Sequence, residues 1–134
     1  MKILYLHQYF AHPDGSGGTR SYEMAKRLVE KGHQVNLITT SAFVPSSWPL
    51  NAGWNTKDVD GIVLHILLLN YSNKLSFLKR ISAFLQFSVR SFWYGKGFDF
   101  DVLFATSTPL TIAIPAILIS KLTRRPMVFE VRDQ

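Results

Sequence analysis

The sequence contains no cysteine, which excludes disulfides, thiolate metal ligands and a cysteine nucleophile together and fits a reducing cytoplasm. Its four histidines, His7, His12, His33 and His65, show no metal-ligand spacing, so no metal site is expected. No Ser-His-Asp arrangement, nucleophile elbow or Asp-x-Asp type of metal-binding pair is expected either. A signal peptide is not expected, because Lys2 is followed by only four apolar residues before His7. The uncharged run Val102–Ser120 reaches the length of a membrane span. However, "ATSTP" sits inside it and it contains Pro115, so a buried strand, a turn and a helix fit better. Acid is missing from one long interval: none occurs between Asp60 and Asp99, where Lys74, Lys79, Arg80, Arg90 and Lys96 fall. Within a net charge of +6, this interval suits an anionic partner: a membrane surface, a nucleic acid or a phosphorylated substrate.

What is present suffices for a packed core. Hydrophobic residues make up 47% of 134, the length of one domain, which excludes disorder. Lys2–His7 reads as a buried strand, Thr19–Lys31 as a helix and Gln34–Thr39 as a second strand. Ala25, Leu28, Val29 and Gly32 form the stripe that would lie on a sheet, and Gly32 can also supply the left-handed residue that ends the helix. Strand, helix and strand in so few residues imply a right-handed crossover and parallel pairing. Ser41–Asn55 reads as loop, and Asp60-Gly61, between "KDV" and "IVLHILL", signals a tight hairpin. Beyond it we expect a long helix over Lys74–Tyr94, a strand over Asp101–Ala105, an apolar helix over Pro109–Leu122 and a last strand over Met127–Val131. The expected fold class is α/β: one doubly wound, mainly parallel sheet without internal repeats or linkers. The chain stops three residues past that last strand with nothing to cover that side of the sheet, so it reads as part of a longer protein.

Between the first strand and the first helix lies "HPDGSGGTR", with Gly15, Gly17 and Gly18. It obeys neither familiar phosphate-loop rule. A dinucleotide fingerprint needs a third glycine where Arg20 stands, and an acid at the end of the second strand, which here reads "ITTS". A Walker loop needs Gly-Lys-Ser/Thr where the chain has Gly18-Thr19-Arg20. What remains is either a surface turn or a looser anion loop. Parallel sheets bind ligands just outside the carboxyl ends of their strands, and this loop lies there by construction.

The apolar first strand, the Gly17-Gly18 loop, "A-x-x-L-x-x-x-G-H-x-V" from Ala25 to Val35, and "DVLFATSTP" together resemble the amino-terminal domain of GT-B glycosyltransferases. The similarity is to family 4, the retaining enzymes of bacterial surface-polysaccharide synthesis, and the "FEVRD" ending resembles its O-antigen and capsule subgroup. The resemblance spans nearly the whole chain. It implies one half of a GT-B architecture, with a donor-binding carboxyl-terminal domain beyond Gln134. It further implies transfer of a sugar from a nucleoside-diphosphate sugar to a lipid-linked saccharide, in O-antigen, capsule or exopolysaccharide synthesis. The sugar nucleotide is then a co-substrate, and neither cofactor nor metal is implied. Gly17, Gly18 and Thr19 would face the donor's diphosphate. Arg132 stands near the place where some relatives carry a catalytic histidine, and Asp133 would orient an acceptor hydroxyl; a surface ion pair is the plainer reading of both.

Other candidates come from strand ends. His7 lies where a cleft residue would, for contact with the acceptor. Thr106 and Ser107 either bond sugar hydroxyls or, with Thr108, cap the following helix at Pro109. In "KLSFLKRISAFLQFSVRSFWY", Phe77, Leu78, Ile81, Phe84, Leu85, Val89, Phe92 and Trp93 occupy about half the helix circumference, opposite Lys79, Arg80 and Arg90. That face packs on the sheet or lies in an anionic membrane interface. Peripheral attachment to the inner face of the plasma membrane through region 74–94 is the expectation. Nucleic acid is not expected, although a non-enzymatic doubly wound nucleotide- or nucleic-acid-binding module is the main rival, and a membrane scaffold a third reading.

Overall fold

The computed structural model describes residues 1–8, 10–11, 20–41, 44–45, 47–68, 77–106 and 112–130, excluding the side chains of 77–81, 83 and 84. Continuous apolar runs make the central strands: β1 (Lys2–Leu6), β2 (Gln34–Thr40), β4 (Ile62–Leu67) and β5 (Val102–Thr106). Such runs suit strands covered on both faces. The more polar β3 (Trp54–Val59) and the short β6 (Met127–Glu130) take the two edges, giving the order β3-β4-β2-β1-β5-β6. All neighbours are parallel except β3 and β4, which are joined by the expected hairpin. Asp60 and Gly61 both take positive φ (53° and 88°), as a type I′ turn requires, and the Gly61 N–H donates to Asp58 Oδ1 at 3.1 Å. The architecture is a Rossmann-like α/β fold, as the sequence implies.

Side-chain alternation splits the core in two. Ile3, Tyr5, Leu37 and Leu64 face α1 (Arg20–Glu30) and bury its Tyr22 and Ala25. Leu4, Leu6, Ile38 and Leu103 face the opposite way, onto α2 (Phe77–Gly95) and α3 (Ala113–Thr123). Gly32, at φ 93°, ends α1 as expected. Its N–H reaches the Val29 carbonyl at 3.0 Å and that of His33 reaches Leu28 at 3.1 Å, satisfying two carbonyls of the last turn.

The bulky face of α2, for which the sequence leaves packing on the sheet and exposure both open, divides: Phe92 packs against the core and the rest of its described members do not. Its bulky stripe Leu85, Val89 and Trp93 is 52%, 57% and 61% exposed, whereas Phe87, Ser88 and Ser91 are buried. The reason is close approach. Ser88, Ser91 and Gly95 fall on one face, and a Cβ on Gly95 would lie 3.0 Å from Ile119 and 3.3 Å from Ile38. Small residues let the helix settle against the sheet and α3, which leaves the large ones outside.

Candidate functional site

The chain turns from β1 to β2 in one direction and later places β5 and β6 on the other side of β1. The strand order therefore reverses between β1 and β5, and the crevice at their carboxyl ends is where open α/β sheets bind ligands. Four residues from different elements meet there on the α1 face: His7 just after β1, Ser21 in the first turn of α1, Thr106 ending β5 and Glu130 ending β6.

His7 is 2% exposed, and its Nδ1 lies 2.8 Å from Ser21 Oγ. Its N–H donates to the Ile38 carbonyl at 3.1 Å, so backbone and side chain are both held. The following residue fastens β1 to β2, because the Gln8 carbonyl accepts the hydroxyls of Thr39 at 3.1 Å and Thr40 at 2.7 Å. Thr106 is buried, with Oγ1 3.1 Å from the Tyr5 hydroxyl, and the Tyr5 ring packs on Phe104 with centroids 4.9 Å apart. Glu130 sits directly opposite Thr106 in register. Its carboxylate accepts from the Arg20 guanidinium at 2.8 Å, which bridges the start of α1 to the end of β6 over the end of β5.

Of the residues singled out from sequence, the structure places His7 and Thr106 in this crevice. Gly17, Gly18, Thr19, Ser107, Arg132 and Asp133 lie outside the described residues. The Thr106 hydroxyl turns to Tyr5. Ile112, at the amino end of α3, makes no side-chain cap. Sequence reasoning missed Ser21 and Glu130, and met Arg20 only as the residue that breaks the glycine pattern. The available signal was parity: Glu130 is an acid in an otherwise apolar strand, on the same face as Val128 rather than Phe129.

The other edges are chemically spent. Asp99 and Asp101 do have an Asp-x-Asp spacing, which sequence reasoning passed over, but they lie at the amino-terminal edge, away from the crevice. Asp99 binds Lys2 Nζ at 2.8 Å and Arg125 at 3.4 Å, and Asp101 accepts the Lys2 N–H at 2.7 Å. The Lys2 hydrogen bond and charge hold Asp99 below the usual carboxylate range. Among the described residues no group of three or more His, Asp or Glu could hold a metal ion. A groove of about 440 Å³ along β3 carries Trp48, Trp54 and Lys57. The Lys57 ammonium covers the Trp48 ring at 5.0 Å and Tyr94 stacks on Trp54 at 4.1 Å, so these rings are already engaged.

No family model matches the chain, and no curated protein does. Solved structures do. The carboxyl-terminal domain of a hydrogenase from Pyrococcus furiosus superposes with a TM-score of 0.61 at 22% identity, over 96% of this chain and 90% of that one. The catalytic domain of starch synthase IV from Arabidopsis thaliana, bound to ADP and acarbose, superposes with a TM-score of 0.67 at 14% identity, over 98% of this chain and 34% of that one. At such identities the likeness concerns the fold, and both comparisons agree on the doubly wound α/β class.

Proposed function

We propose that this chain is the acceptor-binding half of a retaining, family 4-like GT-B glycosyltransferase. It would pass a sugar from a nucleoside-diphosphate sugar to a lipid-linked saccharide in O-antigen, capsule or exopolysaccharide synthesis. The observation that carries the reading is the crevice between β1 and β5, where His7, Ser21, Thr106, Arg20 and Glu130 converge. The fold shared with a starch synthase domain bound to ADP and acarbose is in keeping with it. In this reading His7 contacts the acceptor, Gly17, Gly18 and Thr19 face the diphosphate, and Thr106 and Ser107 border the sugar. Arg132 and Asp133 act on the reacting groups. Such chemistry depends on positioning and on stabilising the departing diphosphate rather than on a strong nucleophile. No cofactor or metal enters it.

In this reading the donor's base and ribose fall to a second doubly wound domain; the chain covers 34% of the starch synthase structure. Charge-assisted hydrogen bonds of about 1.5–3 kcal/mol each must overcome an association cost of at least about 4 kcal/mol. Residues 1–134 alone are thus expected to show no turnover and no tight calorimetric binding of UDP- or GDP-sugars. Measurable transfer by the purified chain would remove the two-domain reading.

The membrane side of the proposal gains a specific surface. The exposed α2 stripe continues onto α3 with Ile114, Leu118 and Leu122, which are 51%, 47% and 61% exposed. Neither helix contains an acid, and Lys96 lies 4.1 Å over the exposed Trp93 ring. Among the described residues no helix is long and apolar enough to cross a membrane. In this reading the exposed stripe docks peripherally on the inner face of the membrane. Sedimentation with anionic vesicles is expected to exceed that with neutral ones, each basic residue near the surface contributing about 1 kcal/mol. Replacing Trp93 and Leu118 by serine should weaken it at least about tenfold. Equal sedimentation with both vesicles, or none with either, would contradict the docking surface.

A further inference from the structure

We propose that Arg20 and Glu130 form an exchangeable anion clamp, in which Arg20 binds the phosphates of the sugar nucleotide and Glu130 holds the guanidinium in place until they arrive. The inference rests on the crevice being the sugar-nucleotide site and assigns two residues of it. The two side chains are 110 positions apart in sequence and meet over the end of β5, at the mouth of the crevice. Their contact is a single one, Arg20 Nη2 to Glu130 Oε2 at 2.8 Å. A guanidinium carries five N–H donors in a planar fork, so the rest of this one is uncommitted among the described residues. The Arg20 side chain is 57% exposed while that of Glu130 is 19% exposed, so the arginine is the partner free to swing.

Relative strengths decide the direction of exchange. A single-contact ion pair in solvent contributes little, because side-chain entropy and screening offset most of its attraction. A phosphate or diphosphate offers two oxygens to the same fork and carries more charge than one carboxylate. An entering diphosphate therefore draws Arg20 away from Glu130. No bond is made or broken; only the hydrogen-bond partner changes. Glu130 is left as a carboxylate next to Thr106, placed to accept a hydrogen bond from a sugar hydroxyl. Glu130 is a positioning residue, acting through Arg20 before binding.

The two roles give opposite signs for one variant. If the pair is an exchangeable clamp, Glu130→Gln removes a competitor and a repelling charge, so inorganic pyrophosphate should bind about three- to fivefold more tightly. If the pair is only a structural tie, the same variant leaves pyrophosphate binding unchanged or weakens it. Affinities are read from backbone amide shifts of Ser21 and His7 in NMR titrations of the full chain with pyrophosphate. Arg20→Gln should weaken binding at least about fivefold, and Arg20→Lys should fall between, since an ammonium cannot offer the fork. The dispersed wild-type amide spectrum verifies the fold of each variant, and the lysine variant keeps the test decisive if the glutamine variant does not fold. Unchanged or weakened binding in Glu130→Gln, wild-type binding in Arg20→Gln, or no pyrophosphate response at all overturns the clamp. If the predicted pattern is found with pyrophosphate but UDP-, GDP- and ADP-sugars at millimolar concentration shift none of these amides, the phosphate clamp stands and the transferase reading falls.

Discussion

Acidification from pH 6.5 to about 4 is expected to destabilise the fold by about 3 kcal/mol through one side chain, His65. His65 lies on β4 and faces α2, between the rings of Tyr94 and Phe98, with centroids 5.3 and 4.8 Å away. Its Nε2 lies 2.9 Å from Asn36 Oδ1 and its Nδ1 lies 2.9 Å from the Tyr94 hydroxyl. A neutral ring satisfies both contacts: Nε2–H donates to the amide oxygen, and Nδ1 accepts the Tyr94 O–H. Burial penalises the charged form and pushes the pKa from 6.5 down to about 4. The unfolded chain therefore takes up the proton first as pH falls. The His65 contribution is complete above pH 6.5, declines through the interval, and is wholly lost below about 4. Urea unfolding at several pH values measures the slope. His65→Gln, although less stable at neutral pH, should show a distinctly shallower decline over the same range. Identical slopes in both proteins would show that another group carries the acid sensitivity.

Phe87→Ala is expected to cost about 3–5 kcal/mol, the usual loss for truncating a fully buried aromatic ring. Phe87 has no exposed surface and packs in the cluster of Leu4, Leu6, Ile38 and Leu103. Two positions further on, Val89→Ser should change stability by no more than about 0.5 kcal/mol, because Val89 is exposed. The contrast tests which way α2 faces. Denaturant unfolding of both variants decides it, and a costly Val89→Ser beside a harmless Phe87→Ala would reverse the helix.

That helix marks the limit of what the sequence discloses about the fold. β1, β2 and β5 are short apolar runs with few alternatives, and the Asp60-Gly61 turn and Gly32 announce themselves by their backbone demands. In α2 the bulky residues cover about half the circumference, and helical periodicity alone leaves open whether the Leu85–Val89–Trp93 side packs on the sheet or faces outward. The deciding fact, close approach along Ser88, Ser91 and Gly95, is tertiary. A small residue signals nothing until its neighbour is known.

The candidate site divides in the same way. His7 and Thr106 were legible because parallel topology alone sends the ends of β1 and β5 to one edge. The His7–Ser21 contact depends on the pitch at which α1 leaves the sheet, and Arg20–Glu130 on a pairing across 110 residues. Neither has a local sequence signature. The Asp99-x-Asp101 spacing illustrates the converse, since a pattern that looks like metal chemistry is tied to Lys2 and Arg125 at the far edge of the sheet.

The central claim is that the crevice between β1 and β5 receives a sugar nucleotide. Residue-resolved NMR titration of the chain with UDP-, GDP- and ADP-sugars at millimolar concentration tests it most directly. The account predicts shifts of the His7, Arg20, Ser21, Thr106 and Glu130 amides, with those of Lys2, Asp99 and Arg125 unmoved. Shifts confined to that opposite edge or to the Trp48–Lys57 groove, or no shift with any of the three nucleotides, would contradict it.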